Sequence, residues 1–212
     1  MGKKSIRLPE LTFEVSSTSD AGKAIDYIKE KKGRNYSNAI ARILIMRWLP
    51  FAIDRGCLEY EKVALKCAVQ CQQRSEEIST YGNLAWKEYK YRYPSQRNNR
   101  QDVKEDLKKF ASFDDVLKLV IEDLKKVSRW HMTPREFVIE TLLNYYLPFT
   151  VSPDDPEFKA IAVSSAINCY FWANEIREYA GLPLLERVEI SSNDECNDEF
   201  GKARYIASSI QN

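Results

Sequence analysis

This sequence predicts a mainly α-helical fold built from a duplicated three-helix unit, and three observations carry that prediction. Gly and Pro are scarce, seven and eight in 212 residues, which disfavours a turn-rich all-β chain. Apolar residues recur at helical spacing over several long windows. Finally, Leu49-Pro50-Phe51 returns as Leu147-Pro148-Phe149, an offset of 98 residues. Downstream the register holds: Tyr60 falls on Phe158, Val63 on Ile161, Ala64 on Ala162, Cys67 on Ser165, Cys71 on Cys169, Glu77 on Glu175 and Tyr81 on Tyr179. Upstream only the pattern repeats, Ile40 to Leu44 lying over Val138 to Leu142. A fixed period over supersecondary units is the mark of duplication.

Each unit reads helix, helix, Leu-Pro-Phe breaker, long helix. In the first, Leu11, Phe13 and Val15 alternate with Thr12, Glu14 and Ser16, a period of two that predicts a short strand. Ser17-Thr18-Ser19-Asp20 supplies capping residues for a helix from about 21 to 32 with Ala24, Ile25 and Ile28 inward, and Gly33 stops it. Asn35-Tyr36-Ser37 opens a second helix carrying Ala39, Ile40, Ile43, Leu44 and Trp48, ended or kinked by Pro50. A third follows from about 58 to 81 with Val63, Ala64, Cys67, Ala68, Cys71 and Ile78 in one stripe. The second unit mirrors this: a helix from Phe113 to about Val127, one from Thr133-Pro134 to Tyr146, and one after Pro153-Asp154-Asp155-Pro156 to about Gly181. The expected organisation is a repeat unit over 1–82, a basic aromatic linker over 83–112, a second unit over 113–183 and an acidic, partly disordered tail over 184–212. Trp48, Leu49, Phe51, Leu147, Phe149, Ile161 and Ala166 are the expected core.

Composition narrows the function. Hydrophobic residues make up 44% of the chain, enough for a real core, yet no apolar run reaches the roughly 18 residues of a membrane span. Met1 to Ile6 contains neither a secretory h-region nor a myristoylation pattern, and a cytoplasmic protein is expected. The five cysteines, 57, 67, 71, 169 and 196, form no disulfide framework and point to reduced thiols. Cys67 and Cys71 lack a neighbouring third ligand and read as small buried residues rather than a metal site. His131 is the only histidine, no Gly-rich phosphate loop exists, and Asp114-Asp115 and Asp154-Asp155 stand at helix starts, where the dipole favours them. No enzymatic activity and no cofactor is therefore expected.

The net charge of +1 hides a bipolar molecule. Residues 1–55 carry eleven Lys/Arg against six Asp/Glu, residues 87–104 six against two, and residues 140–200 three against twelve. A basic surface of this kind fits an anionic partner. The linker interleaves Tyr89, Tyr91 and Tyr93 with Lys87, Lys90, Arg92, Arg97 and Arg100, a pattern that suits stacking on bases and pairing with phosphates. It equally suits a solvated structural linker, because Lys stems cover aromatic rings.

The N-terminal quarter, with its alternating strand, its helix ending Lys31-Lys32-Gly33 and its second helix opening Asn35-Tyr36-Ser37-Asn38-Ala39-Ile40, resembles a ribbon–helix–helix DNA-binding unit of the kind found in ParR-type plasmid-partition adaptors. The resemblance covers about residues 4–50. It implies that Thr12, Glu14 and Ser16 face the major groove, that the second helix's start meets a phosphate, and that the ribbon forms between two chains as a homodimer. The resulting candidate contacts are Lys3, Lys4, Arg7, Thr12, Lys31, Lys32, Arg34 and Asn35, with the linker residues Lys87, Lys90, Arg92, Arg97, Arg100, Tyr89 and Tyr91. The expected function is a nucleic-acid-binding accessory or regulatory protein, on DNA rather than RNA. The alternative is a helical adaptor, or small subunit of a larger complex, whose acidic C-terminal half binds another protein.

Overall fold

A computed structural model describes residues 2–8, 11–84, 86–87, 112–126, 132–185 and 189–190. The alternation of Leu11, Phe13 and Val15 does form a strand, β2 (Leu11–Ser16). It pairs antiparallel with β1 (Lys3–Leu8), placing Ile6 opposite Phe13, Ser5 opposite Glu14 and Leu8 opposite Leu11. The sequence reading does not contain β1, since Lys3, Lys4 and Ser5 dilute its alternation to two apolar residues. In the hairpin Ile6, Leu8, Phe13 and Val15 are buried. Lys3, Ser5, Arg7, Thr12, Glu14 and Ser16 share the opposite face, by the period of two.

Helix α1 (Asp20–Lys32) starts where Ser19 Oγ accepts from Gly22 N at 3.2 Å. Its first turn lies against the end of β2: a Cβ on Gly22 would sit 2.3 Å from the Ser16 carbonyl oxygen and 2.8 Å from that of Ser17. Because both obstacles are backbone, Gly22→Ala is expected to cost about 1–3 kcal/mol as an overpacked site. An unchanged denaturant midpoint for that variant would show that the helix start can simply shift.

After a 3-10 turn (Gly33–Asn35) comes α2 (Tyr36–Ala52). It packs on α1, on β1, on α3 (Tyr60–Tyr81) and on the second unit's helices α4 (Phe113–Lys126), α5 (Pro134–Tyr146) and α6 (Phe158–Tyr179). Every residue from Ile43 to Phe51 is buried, as expected of a helix apolar on nearly all sides.

The duplication is visible in the backbone. α3 and α6 have bounds 98 residues apart at both ends, and α2 and α5 start 98 residues apart. The turns ahead of the long helices repeat too: Cys57 N donates to Asp54 O at 3.1 Å, and Asp155 N to Ser152 O at 2.9 Å. So do the exits, Leu84 N to Ser79 O at 2.9 Å and Leu182 N to Arg177 O at 2.8 Å. The units differ at the breaker. Pro50 lies inside α2, whereas Leu147–Phe149 is a separate 3-10 turn. Thr150 supplies a reason. Its hydroxyl and its N–H both donate to Leu147 O, at 2.8 and 2.9 Å, tightening that turn. The equivalent Ala52 has no hydroxyl.

The units pack through reciprocal contacts. α3 crosses α6 along small residues, Ala64, Cys67, Ala68, Cys71 and Ser75 facing Ala162, Ser165, Ala166, Cys169 and Ala173, all buried. Such side chains let two backbones approach closely, and Ser75 Oγ donates to Ala166 O at 2.6 Å. Phe51 meets Tyr179 at 4.8 Å between ring centroids, and the equivalent Phe149 meets Tyr81 at 4.9 Å. Arg47 lies 5.1 Å from the Trp172 ring centroid, and Arg74 lies 4.2 Å from that of Tyr145. These positions exchange under the 98-residue offset, so Arg and aromatic have swapped partners in the two halves. α1 packs on α5 while α4 packs on α2, each first helix crossing to the other unit. Residue i touching j while j's counterpart touches i's is the signature of an isologous interface. A pseudo-twofold therefore relates the units within one shared core.

One part of that core is charged. Arg47 is 4% exposed, stacked near Trp48, Phe51 and Trp172, and its Nη2 donates to Glu175 Oε2 at 2.5 Å. Its Nε and Nη1 have no hydrogen-bond partner among the described residues. Burial pushes the nearby Glu140 carboxyl up, with Arg47 pulling it back. Burial likewise pushes the Cys71 thiol up to about 12 and those of Cys67 and Cys169 higher still, so all three are inert packing groups.

Three expected core residues need correction. Trp48, Leu49, Phe51 and Ala166 are buried, but Leu147, Phe149 and Ile161 are only half-buried. Among the described residues no helix is long and apolar enough to cross a membrane. At the linker's start, β3 (Trp86–Lys87) pairs antiparallel with β4 (Glu189–Ile190). Most of the 83–112 linker, His131 and the tail beyond 190 lie outside the described residues.

Candidate nucleic-acid interface

Lys3, Lys4 and Arg7 lie in the hairpin, and Lys29, Lys31, Lys32 and Arg34 at the corner between α1 and α2. α1 ends in Lys29, Lys31 and Lys32, cations favoured at a helix C-terminus. Gly33, at φ 54°, then turns the chain into the 3-10 turn that carries Arg34. Tyr36 ties this corner to the hairpin, because its hydroxyl donates to Ser5 O at 3.3 Å. The Lys29 ammonium sits 4.8 Å from the Tyr36 ring centroid, and that of Lys31 sits 5.7 Å from the Tyr27 ring.

Arg7, Thr12, Lys32, Arg34 and Asn35 are exposed. Arg7, Lys32 and Arg34 enter none of the ion pairs formed among the described residues. Lys3 is exposed but pairs with Glu14 at 3.0 Å, and Lys31 pairs with Glu30 at 3.4 Å. Both pairs are solvated and weak, and a phosphate can displace the carboxylate. Lys4 is different. Its side chain is 14% exposed, pairs with Asp26 and donates to Gly22 O at 3.2 Å. It pins the hairpin to α1 and is not free for a ligand, a correction to its place among the candidates. Asn35 makes no side-chain cap to α2.

Of the linker candidates, only the backbone of Lys87 is among the described residues. Lys87 lies in β3 opposite Glu189. Lys90, Arg92, Arg97, Arg100, Tyr89 and Tyr91 lie outside the described residues.

Sequence reasoning missed Arg135 and Tyr36. Arg135, exposed at the start of α5, donates from Nη2 to Glu14 O at 3.2 Å and lies 5.9 Å from the Phe13 ring centroid. It thus grips the β2 edge while Tyr36 grips β1, and Ser5 and Glu14 are directly paired partners. Nothing in the spacing joins positions 121 residues apart. Only the shared core does. Among the described residues no group of three or more His, Cys, Asp or Glu is placed to hold a metal ion. No protein-family model, curated protein or solved structure matches the chain.

Proposed function

We propose that this chain is a non-enzymatic nucleic-acid-binding accessory or regulatory protein that takes DNA in preference to RNA, through the hairpin, the α1–α2 corner and the basic aromatic linker. The observation that carries this reading is the exposed set Arg7, Lys32 and Arg34, which enter no ion pair among the described residues, beside Lys29 and Lys31. Exposed cations on adjoining elements serve a polyanion, because releasing its condensed counterions drives association. The ribbon–helix–helix resemblance of residues 4–50 agrees with the preference for DNA. The hairpin, however, pairs within one chain, so this reading needs no second chain to complete it.

The test is fluorescence anisotropy with labelled DNA and RNA over a salt series. Changing Lys87, Lys90, Arg92, Arg97 and Arg100 together to Ala is expected to reduce the slope of log K against log salt on duplex by about 4.5, close to one unit per lost phosphate contact. The fold should survive, since exposed Lys and Arg add little stability. Replacing Tyr89 and Tyr91 should weaken single-strand binding more than duplex binding, where bases are already stacked. A wild-type protein that binds no nucleic acid at low salt would leave the adaptor reading. The exposed turn Asp154, Asp155 and Glu157 and the half-exposed Phe171 favour that second reading.

A further inference from the structure

The two long helices share an inner face and differ on the outer one. Opposite its contact with α3, α6 carries Ala160, Ser164, Ile167, Phe171, Asn174 and Glu178, one residue at every third or fourth position. That spacing is the seam along which a second helix packs. Ala160, Ser164, Phe171 and Glu178 are exposed, Ile167 and Asn174 partly so, and Phe171 reaches 52%. The 98-residue offset puts Lys62, Lys66, Val69, Gln73, Glu76 and Thr80 at the same positions of α3. α3 thus keeps the charged outer face of a helix in water, whereas the α6 seam bears no charge before Glu178. Both helices have the same length and a buried stripe of small residues. Neither helix formation nor the shared core therefore requires an apolar outer face on α6 alone.

Carboxylates stand at both ends of the seam. Exposed Asp154, Asp155 and Glu157 precede α6, and exposed Glu178 closes it. Lys159 is the one exposed cation among residues 152–185, all of them described. Asn174 Oδ1 accepts from Leu185 N at 2.7 Å, holding the following chain beside the helix, and the adjacent Leu184 is 54% exposed. We infer that the outer face of α6 is a docking surface for an amphipathic helix of a partner protein, apolar along its seam and rich in Lys or Arg beside it. Phe171 and Ile167 supply the apolar anchor, and the small Ala160 and Ser164 let a second backbone approach. The carboxylates at the ends choose a cationic occupant. A second copy of this chain would bring the same carboxylates, and an antiparallel pair would set Glu178 of each against the acidic turn of the other. A polyanion or an anionic membrane is repelled for the same reason. The inference does not rest on the nucleic-acid reading, whose contacts lie in the first unit and the linker.

The probe is a fluorescein-labelled synthetic helix of about 20 residues with Leu along one heptad seam and Lys elsewhere. Its companions carry Glu in place of Lys, or the same composition in scrambled order. Anisotropy with the full chain is expected to show binding of the Lys helix alone, weakening as salt rises. Phe171→Gln installs the residue that α3 carries at the matching position, and should weaken binding by about tenfold. Gln73→Ala on α3 should leave it unchanged, and both variants should melt like the wild type. Glu178→Gln with Asp154→Asn should weaken binding several-fold at low salt and little at high salt. No binding of the Lys helix, equal binding of the scrambled one, or equal binding by Phe171→Gln and the wild type overturns the proposal. A dimer in sedimentation that Phe171→Gln dissolves also overturns it, because the occupant is then a second copy. Duplex binding measured on the same preparations decides the nucleic-acid reading separately, and Phe171→Gln should leave it intact.

Discussion

Replacing Glu175 with Ala is expected to destabilise the protein by about 3 kcal/mol, a fall in melting temperature of about 10 °C for a chain of this size. The loss arises because Arg47, 4% exposed and walled by Trp48, Phe51 and Trp172, keeps its charge while losing its nearest carboxylate. An unpaired guanidinium in that setting carries its full desolvation cost. The counterpart of Glu175 under the duplication is Glu77, paired with Arg74 at 2.6 Å but 61% exposed. Arg74 also donates twice to Tyr145 O, at 2.9 and 2.5 Å. Glu77→Ala should therefore cost under about 1 kcal/mol. Combining Glu175→Met with Arg47→Met should recover most of the loss, since replacing a buried pair by apolar groups of similar volume is close to neutral. Guanidinium chloride unfolding of the set measures this, and equal midpoints for the Glu77 and Glu175 variants would sink the distinction.

A second large effect concerns the repeated leucines. Leu49→Ala is expected to cost about 2–5 kcal/mol, because Leu49 is 1% exposed and its loss leaves a cavity. Leu147→Ala, at the matching position, should cost about 1 kcal/mol. Leu147 is half-buried, so less apolar area is withdrawn from water in the native state. The comparison uses the same residue type at the same place in the repeat. A Leu147 variant as unstable as the Leu49 variant would show that the 3-10 turn closes over its side chain.

Much of the architecture was legible from periodicity. The ends of the two long helices, the Ser19 cap, the capping box of Thr133 with Glu136 and the small-residue stripe of Cys67 and Cys71 follow local rules. Those rules act within four residues of one another, where sequence and structure share a coordinate. β1 was not legible, because a half-buried strand with two lysines at one end shows no alternation until its partner is known. Lys4 read as surface charge for the same reason, although the pleat turns it inward onto Asp26 and Gly22.

The candidate site divides in the same way. Lys3, Arg7, Lys31, Lys32 and Arg34 were visible as a local excess of charge. Arg135 was not, since it joins the hairpin through contacts spanning 121 residues.

By itself the sequence determined that this protein is two copies of a helical unit, with helix starts and stops set by nearby side chains. The tertiary structure decided that the copies share one core through crossed first helices. It decided that equivalent residues differ in burial, and that Tyr36 and Arg135 hold the two edges of one hairpin. The physical reason is that repetition in sequence sets local conformation equally in both halves. Burial and proximity, by contrast, depend on what each half meets, and only the first half brings the β1–β2 hairpin to the interface.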